Sequence, residues 1–273
     1  VEAWAPTQYA DEALRIAAYA AGVALKDAKF HLTLSGGGFG RRLSNDYVSQ
    51  AVQVAKALPG TPVKLIASRE ECMRRGYYAP VARARLRAAL GTDGLPQAWH
   101  SKVAYGRAPV QPYGMSRFPW AVPHVRCEYT GIDSPPPFGW MRGVAHSQSL
   151  WMNTAFIGEI AAASGKTSLE VQRGLLDESR VSRERTDYDD AVARIRRHRD
   201  LLERVVTRAG GEARAEPRHG RGFAVTDMSY LPGYVSSCVA MAVDVALRED
   251  GDVRVLAVHA VADVGLAINP DIV

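Results

Sequence analysis

Three consecutive glycines, Gly36–Gly38, constrain the fold of this chain more than any other feature of its sequence. Before them, Phe30, Leu32 and Leu34 alternate with polar residues, which is the period of a strand with one buried face. Glycine has no Cβ and adopts positive φ without steric cost, so a glycine run lets backbone amides approach a ligand closely. The pattern predicts a strand and then either a loop for an oxygen-rich or anionic group or a tight turn that serves only the fold.

A helix is predicted after the glycine loop, because apolar residues recur at helical spacing between Ser44, a candidate N-cap, and Pro59. Two common phosphate-binding loops are excluded by spacing. The Walker loop requires Lys followed by Ser or Thr after its glycines, and the dinucleotide fingerprint requires a third glycine where Arg41 stands.

Length and charge set broad limits on the kind of protein. The 273 residues suit one large domain or two of ordinary size, and 47% hydrophobic content is ample for a packed core. The 34 basic and 29 acidic residues give a formal charge of +5, too small to indicate nucleic-acid binding. No transmembrane run or signal sequence is apparent and the first residue is valine, so we expect an excised or processed piece.

The cysteines predict that any iron–sulfur centre lies on a partner. Only three occur, Cys72, Cys127 and Cys238, and they are widely separated without C-x-x-C spacing. We therefore expect neither a zinc site nor an iron–sulfur cluster in this chain.

A glutamine precedes the first predicted helix. Gln8 stands before Asp11, where an apolar stripe begins that ends at Gly22. The amide of a glutamine can donate a hydrogen bond to an oxo ligand or a phosphate, but an isolated glutamine more often marks a helix entry. Sequence alone leaves both interpretations of Gln8 open.

The middle of the chain is predicted to form strands. The pattern predicts a short strand at residues 63–67, and residues 83–105 alternate on both sides of a predicted hairpin turn at Thr92–Gly94. Three arginines between residues 83 and 87 share one face, which favours a solvated strand face over a ligand site.

A second irregular loop, residues 134–139, leads toward an apolar stretch from Leu150 to Ala163, which predicts a helix buried on all sides. Arg142 and Gly143 then lie at a loop-to-helix junction, where backbone amides are free and the helix dipole favours negative charge. His146 is more often a hydrogen-bonded core residue than a ligand or base in such a position, since no second histidine or carboxylate stands four residues on.

An arginine-rich helix is predicted at residues 187–209, with Asp187 as a possible cap and Gly210 as its stop. Its basic face allows nucleic-acid binding, but Asp200 and Glu203 interrupt it and no aromatic residues interleave, which favours a solvated or subunit-contacting face. The face consists of Arg194, Arg196, Arg197, Arg199 and Arg204.

Strand-like segments follow from Gly220 onward, and the last two are joined by residues 249–252, a second hairpin turn. These segments are 223–225, 234–247 and 253–264. The change of pattern predicts a boundary between residues 177 and 221, with a helix-containing part before it and a strand-rich part after it.

Four motifs are spread along nearly the whole chain: Ala5–Gln8 (APTQ), Ser35–Arg42 (SGGGFGRR), Met141–Gln148 (MRGVAHSQ) and Asp263–Pro270 (DVGLAINP). In this order they resemble the large, molybdenum-binding subunits of the xanthine dehydrogenase and aldehyde oxidoreductase superfamily, most closely its isoquinoline 1-oxidoreductase β-subunit branch. The resemblance implies an α+β fold of the molybdopterin-binding type, with mixed sheets and packed helices. It implies that residues 1–180 are a portion of a first molybdopterin-binding domain and residues 181–273 a portion of a second, similar one.

The resemblance also implies a molybdopterin cytosine dinucleotide whose dithiolene binds molybdenum, so that the protein supplies no metal ligand. It implies a catalytic role for Gln8 beside a molybdenum oxo group. The residues implied to bind the cofactor are Gly37, Gly38, Phe39, Gly40, Arg142 and Gly143.

The implied reaction is oxidative hydroxylation of an N-heteroaromatic compound or an aldehyde, with water as the oxygen source. Electrons would leave through a small subunit that carries two [2Fe-2S] clusters, and from there to a cytochrome c. Further implied partners are the remaining parts of the large subunit and a small-molecule substrate, with no nucleic acid. The compartment, bacterial cytoplasm or periplasm, stays open.

Departures from the family pattern limit these implications. The family's catalytic glutamate and its G-Q-G-like motif are absent from the chain, so we expect the chain to be incomplete alone. Leu43 and Val144 stand where purine-oxidising members carry a glutamate and a phenylalanine, which makes xanthine an unfavourable substrate. Two alternatives remain: a non-catalytic or incomplete fragment that only folds and assembles, and a basic binding module that uses the arginine helix.

Overall fold

The computed structural model describes residues 1–106, 113–115, 118–133, 135, 137–143, 146–212, 216–228 and 237–272. The strands are β1 (Glu2–Ala5), β2 (Lys29–Leu32), β3 (Ala82–Leu90), β4 (Pro96–Gly106), β5 (His124–Ile132), β6 (His219–Asp227), β7 (Cys238–Leu247) and β8 (Val253–Asp263). The helices are α1 (Ala10–Ala21), α2 (Asp46–Ala57), α3 (Arg69–Arg75), α4 (His146–Ser164), α5 (Ser168–Leu175) and α6 (Tyr188–Arg208). The predicted α+β class is confirmed. Across these described ranges, no helix combines the length and the apolar character that crossing a bilayer requires.

The chain divides into two compact units. The first comprises Val1–Ala82, Tyr105–Gln111 and Gly131–Val144, and the second comprises Arg83–Ala104, Pro112–Thr130 and Ala145–Val273. This division follows spatial contact and does not test which family domain each segment represents. The assignment of residues 1–180 and 181–273 to two similar domains therefore stays a prediction.

The first unit is a small α/β layer. β1 and β2 pair in parallel, with residues 2–5 opposite residues 29–32. Helix α1 ends as predicted at Gly22, whose left-handed φ of 75° lets its N–H reach the carbonyl groups of Ala18 and Tyr19. Helices α1 and α2 bury a small core made of Ala13, Ala17, Val48 and Val52.

The strand before the glycine loop is shorter and less buried than predicted. β2 ends at Leu32, and the side chains of Leu32 and Leu34 are 61% and 100% exposed. Phe30 does pack against the small core. The prediction of one buried face along residues 30–34 was wrong beyond Phe30, because the core of α1 and α2 does not extend to the later positions of that face.

The second unit contains two three-stranded sheets, in the orders β3-β4-β5 and β6-β7-β8. Both predicted hairpin turns are confirmed, since Thr92–Gly94 lies between β3 and β4 and residues 249–252 lie between β7 and β8. In the second sheet β7 is antiparallel to both neighbours. Buried residues of α6 and of this sheet share one hydrophobic core with Trp99 and Trp120.

Four local predictions were wrong. Residues 63–67 form no strand, because no strand within the described ranges pairs with this apolar segment. Ser44 is not the cap of α2, since Asn45 occupies that position. Asp187 stands at the N-cap position of α6, but its side chain makes no capping bond. Helix α4 is buried on one side only, and Trp151 is 62% exposed on the other.

Candidate functional site

Gln8 and the glycine loop are in direct contact in the first unit. The N–H of Gly40, 32 residues away in sequence, donates a hydrogen bond of 3.0 Å to Oε1 of Gln8. The N–H of Gln8 in turn donates to the carbonyl oxygen of Arg42 at 3.1 Å. Because Oε1 accepts a hydrogen bond, the Nε2 group of the same carboxamide is left as a donor. The loop therefore fixes which end of the Gln8 side chain is presented outward.

Gly38 lies against the same side chain. A Cβ added at Gly38 would be 2.7 Å from Cδ and 2.9 Å from Cγ of Gln8, closer than a Cβ can approach another atom. A Cβ added at Gly36 would meet open space. Of these two glycines, only Gly38 has a neighbour at the position of an added Cβ, and a larger residue there would displace the exposed Gln8 side chain.

Gly40 joins the glycine loop to the second loop. It is buried, its φ is 89°, and an added Cβ would lie 3.0 Å from the backbone nitrogen of Met141 and from the carbonyl carbon of Trp140. No side chain fits between these backbones. Arg142 and Gly143 follow directly, so the structure brings both predicted loops together at Gly40.

The glycine loop has an unusual backbone. Gly37 and Gly40 have φ values of 124° and 89°, and Phe39 between them has a φ of 49°, a conformation rare for a residue with a Cβ. The Phe39 ring lies over Gly37, where it would contact an added Cβ at 2.9 Å, and it is largely exposed. Such strain is typical of loops that place backbone groups for binding.

Several hydrogen-bond donors of this site have no acceptor among the residues that the structure describes. They are the N–H groups of Gly36, Gly38 and Phe39, the Nε2 group of Gln8 and the exposed guanidinium group of Arg142. A site built from free amides and one cation suits an anionic or oxygen-rich ligand.

The two arginines after the loop serve the fold. Arg41 forms a two-bond ion pair with Asp46 at 2.8 and 2.9 Å, and its guanidinium lies over the Tyr77 ring. Arg42 donates to the carbonyl oxygen of Pro6 at 3.0 Å. Their donors are therefore engaged with protein, in contrast with those of Arg142.

The model of the molybdopterin cofactor-binding domain matches residues 1–174, more than half of the chain and all of the site. This chain belongs to the molybdopterin cofactor-binding domain family. The donor set described above fits such a cofactor, which carries phosphate and oxo groups. The structure thus places every sequence-predicted site residue of this molybdopterin-binding domain in the two adjoining loops or against them. That these residues hold the cofactor stays a prediction.

Known proteins similar to this domain are oxidoreductases by name. The β subunit of isoquinoline 1-oxidoreductase from Brevundimonas diminuta is 26% identical over 287 residues, which cover 100% of this chain and 34% of that protein. Quinoline 2-oxidoreductase from Pseudomonas putida 86 has a TM-score of 0.61 at 18% identity, over 92% of this chain and 36% of its own. Aldehyde oxidoreductase from Desulfovibrio gigas has a TM-score of 0.60 at 17% identity, over 92% and 29%. The chain thus spans about a third of the length of these proteins, and the two structures show a shared fold.

His146 belongs to the second compact unit of the chain. It is the first residue of α4 and is 1% exposed, and a Cβ added at Gly114 would lie 3.2 Å from its Nδ1. His146 is therefore buried next to Gly114, which agrees with its interpretation as a core residue.

Sequence analysis missed a second cluster, made of His198, Asp227 and Cys238. All three are buried, and the Nε2 of His198 lies 3.4 Å from Oδ2 of Asp227 and 3.6 Å from Sγ of Cys238. Their residue types could bind a metal ion. However, the Arg194 guanidinium already binds both Asp227 oxygens, each at 2.6 Å. Within the described residues the cluster is accounted for by hydrogen bonds.

The pKa values in this cluster follow from burial. Burial raises the pKa of the Cys238 thiol to about 11, so the thiol stays protonated and can donate to His198. Burial also lowers the pKa of His198, against the attraction of Asp227. A signal for the cluster was present, because His198 is polar yet lies three residues after the inward Ile195 of α6.

The basic face of α6 consists largely of ion pairs. Arg194 binds Asp227 and Arg197 binds Asp263, at 2.6 Å in both cases. Arg204 binds Asp200 within the helix at 2.7 Å. This arrangement supports a structural role for the face rather than a row of free cations for phosphate groups.

Proposed function

We propose that this chain forms part of the cofactor-binding wall of a molybdenum hydroxylase. The complete enzyme would insert oxygen from water into an N-heteroaromatic compound or an aldehyde. The observation that carries the proposal is the hydrogen bond between Gly40 and Gln8, because it orients the Gln8 carboxamide with its NH2 group outward, beside free loop amides.

Each residue of the site has a distinct proposed role. Gln8 donates from Nε2 to an oxygen of the molybdenum centre, and the N–H groups of Gly38 and Phe39 bind anionic or oxo groups at short range. Arg142 balances negative charge, while Gly37, Gly40 and Gly143 provide the backbone conformations that bring the loops together. When bound, a molybdopterin cytosine dinucleotide supplies the two-electron oxidation chemistry that side chains lack.

Electrons are proposed to leave through a small partner subunit with two [2Fe-2S] clusters, and then to a cytochrome c. The cysteines of this chain support an iron–sulfur cluster on a partner rather than here. Cys72 is exposed, Cys127 is half-buried, Cys238 is buried, and all three are free. A [2Fe-2S] cluster needs four ligands, commonly four cysteine thiolates.

We also propose that residues 1–180 and 181–273 are portions of two similar molybdopterin-binding domains.

The proposed substrate is apolar or only weakly polar. Leu43, at the end of the glycine loop, offers no hydrogen bond to a purine, and Val144, the second relevant position, lies outside the described residues. Losing a polar partner costs a polar substrate about 1–3 kcal/mol. The names of isoquinoline 1-oxidoreductase and quinoline 2-oxidoreductase support an N-heteroaromatic, and that of aldehyde oxidoreductase supports an aldehyde.

The test is to purify the complete large subunit with its natural partner and to measure molybdenum, cytidine nucleotide and kcat/KM. We expect about one molybdenum and one cytidine nucleotide per large subunit, and a higher kcat/KM for isoquinoline or benzaldehyde than for xanthine. The present chain alone should bind less than stoichiometric molybdenum and show no turnover. A complete complex that lacks molybdenum, or that prefers xanthine, would contradict the proposal.

A further inference from the structure

The backbone segment that carries Gln8 is held by a buried hydrogen-bond network from the residues after the glycine loop. At its centre is Asn45, which is 1% exposed and lies between the loop and α2. Its Oδ1 accepts a hydrogen bond of 2.6 Å from Oγ1 of Thr7, and its Nδ2 donates to the carbonyl oxygen of Tyr9 at 3.2 Å. One side chain therefore binds the residues on both sides of Gln8 without touching Gln8.

The surrounding bonds determine the orientation of this amide. Among the described residues, the acceptor that faces Nδ2 is the Tyr9 carbonyl, which cannot donate, so a flipped Asn45 would place two carbonyl oxygens 3.2 Å apart. The hydroxyl of Tyr47 lies 3.1 Å from Oδ1 and 2.8 Å from the carbonyl oxygen of Pro6. The N–H of Tyr9 donates to Oγ1 of Thr7 at 3.0 Å. The Thr7 and Tyr47 hydroxyls each have one proton and two acceptors within reach, but the Asn45 amide keeps the same orientation whichever acceptor they use.

This network holds the backbone of Gln8 in place, whereas the hydrogen bond from Gly40 holds the Gln8 side chain. The backbone N–H of Gln8 and the hydroxyl of Thr7 both lie within hydrogen-bond distance of the Arg42 carbonyl, at 3.1 and 2.9 Å. Buried polar groups of this kind are costly to leave unpaired, so they permit one conformation of the segment. The Gln8 side chain itself is exposed and would otherwise move freely.

We infer that Asn45 is a positioning residue for Gln8: through Thr7 and the Tyr9 carbonyl it holds the Gln8 carboxamide in the orientation that presents Nε2 to the cofactor. The inference rests on the proposed function, because it takes from it that Gln8 faces the cofactor. Asn45 itself touches neither the glycine loop amides nor the outward face of Gln8.

Four variants of the complete large subunit, assembled with its partner, test the inference. Asn45→Leu removes the centre of the network, and Thr7→Val removes one hydroxyl while keeping the shape of the side chain. Thr7→Ser restores the hydroxyl and serves as the conservative rescue. Val52→Ala, in the small core of the same unit, is the control for loss of stability without loss of the network.

The first readout does not depend on the cofactor. The Gly40 N–H is bonded to Oε1 of Gln8, so its hydrogen exchange, resolved by mass-spectrometric fragmentation, reports whether Gln8 stays in place. We expect Asn45→Leu and Thr7→Val to exchange this amide about tenfold faster, as loss of one buried hydrogen bond predicts. Thr7→Ser and Val52→Ala should exchange it at the wild-type rate.

The second readout is molybdenum retention after dialysis, together with kcat and KM. We expect Thr7→Val to lower kcat and retention about tenfold with KM little changed, and Thr7→Ser to restore both. If Thr7→Val and Val52→Ala change the Gly40 exchange rate equally, or not at all, the network is merely structural and the inference is wrong. If the wild-type complex holds no molybdenum, the proposed function fails, while the exchange rates still decide whether Asn45 positions Gln8.

Discussion

Gly38 and Gln8 occupy the same space: the Gln8 side chain fills the volume into which any Cβ at position 38 would project. Any residue with a Cβ at position 38 would therefore displace the Gln8 side chain, before any ligand binds. This relationship links the conformation of the loop to the placement of its one outward carboxamide.

We predict that Gly38→Ala displaces Gln8 and lowers cofactor retention in the complete complex. The overlap with Cδ and Cγ forces the exposed Gln8 side chain away from the Gly40 N–H, and loss of that hydrogen bond, about 0.5–1.5 kcal/mol, lowers retention up to about tenfold. Gly36→Ala is the matched control, since its Cβ meets open space, and it should load normally. Molybdenum and cytidine nucleotide content measure the result, and full loading of Gly38→Ala would show that the site lies elsewhere.

A double variant separates packing from binding. Gln8→Ala with Gly38→Ala should recover the melting temperature lost by Gly38→Ala alone, because the overlap is removed. It should not recover cofactor retention, because the Nε2 donor is gone. Recovery of both properties would mean that Gln8 contributes only to the fold.

We predict that Gln8→Glu is more harmful to loading than Gln8→Ala. A glutamate keeps an oxygen acceptor for the Gly40 N–H, so the loop conformation should survive. It replaces the outward donor with negative charge, which opposes an anionic cofactor, and bonds to charged groups are worth about 1.5–3 kcal/mol. Molybdenum content and Gly40 hydrogen exchange, measured on the same samples, check both parts of this expectation.

A buried ion pair joins β6 to β7 in the second sheet. Arg221 binds the fully buried Asp244 through two hydrogen bonds of 2.5 and 2.9 Å. Arg221→Met should reduce the free energy of unfolding by about 3–5 kcal/mol, because it removes both of these hydrogen bonds from a fully buried carboxylate. Arg196→Met, which breaks an exposed pair with Glu178, should cost less than about 1 kcal/mol. Native-state hydrogen exchange of β7 amides, measured in the full-length subunit, should show the larger loss of stability in Arg221→Met and the smaller one in Arg196→Met.

His198 should make stability depend on pH. Its folded pKa is lowered by burial, so below about pH 6.5 the unfolded chain takes up a proton that the folded chain does not. Stability is therefore complete above that pH and falls as the pH drops, by at most about 1.4 kcal/mol per pH unit for one group. His198→Gln should have a lower free energy of unfolding than the wild type at pH 7. Between pH 6.5 and 5.5 its free energy of unfolding should fall less than that of the wild type, as urea unfolding of the full-length subunit would show. His124→Gln, at an exposed histidine, is the control, and equal pH slopes in all three proteins would contradict the assignment.

Local sequence signals predicted much of the fold. The end of α1 at Gly22 and the turns at residues 92–94 and 249–252 follow from conformations that glycine adopts without cost. The candidate site residues come from short contiguous motifs through the family resemblance, and their role in cofactor binding stays a prediction. Residues 63–67 show the limit of this reasoning, since β-strand propensity acts only where a neighbouring strand accepts the hydrogen bonds.

By itself, the sequence indicated the family and its α+β class through four motifs that resemble it, and short-range patterns predicted the two loops that we propose as the site. Only the tertiary structure decided that Gly38 packs on Gln8, that Gly40 bonds it, and that Asn45 holds its neighbours. The tertiary structure also places the His198 side chain within 3.4 Å of Asp227 and 3.6 Å of Cys238. The physical reason is that these contacts join residues more than 25 positions apart through packing and hydrogen-bond geometry, which no local pattern specifies.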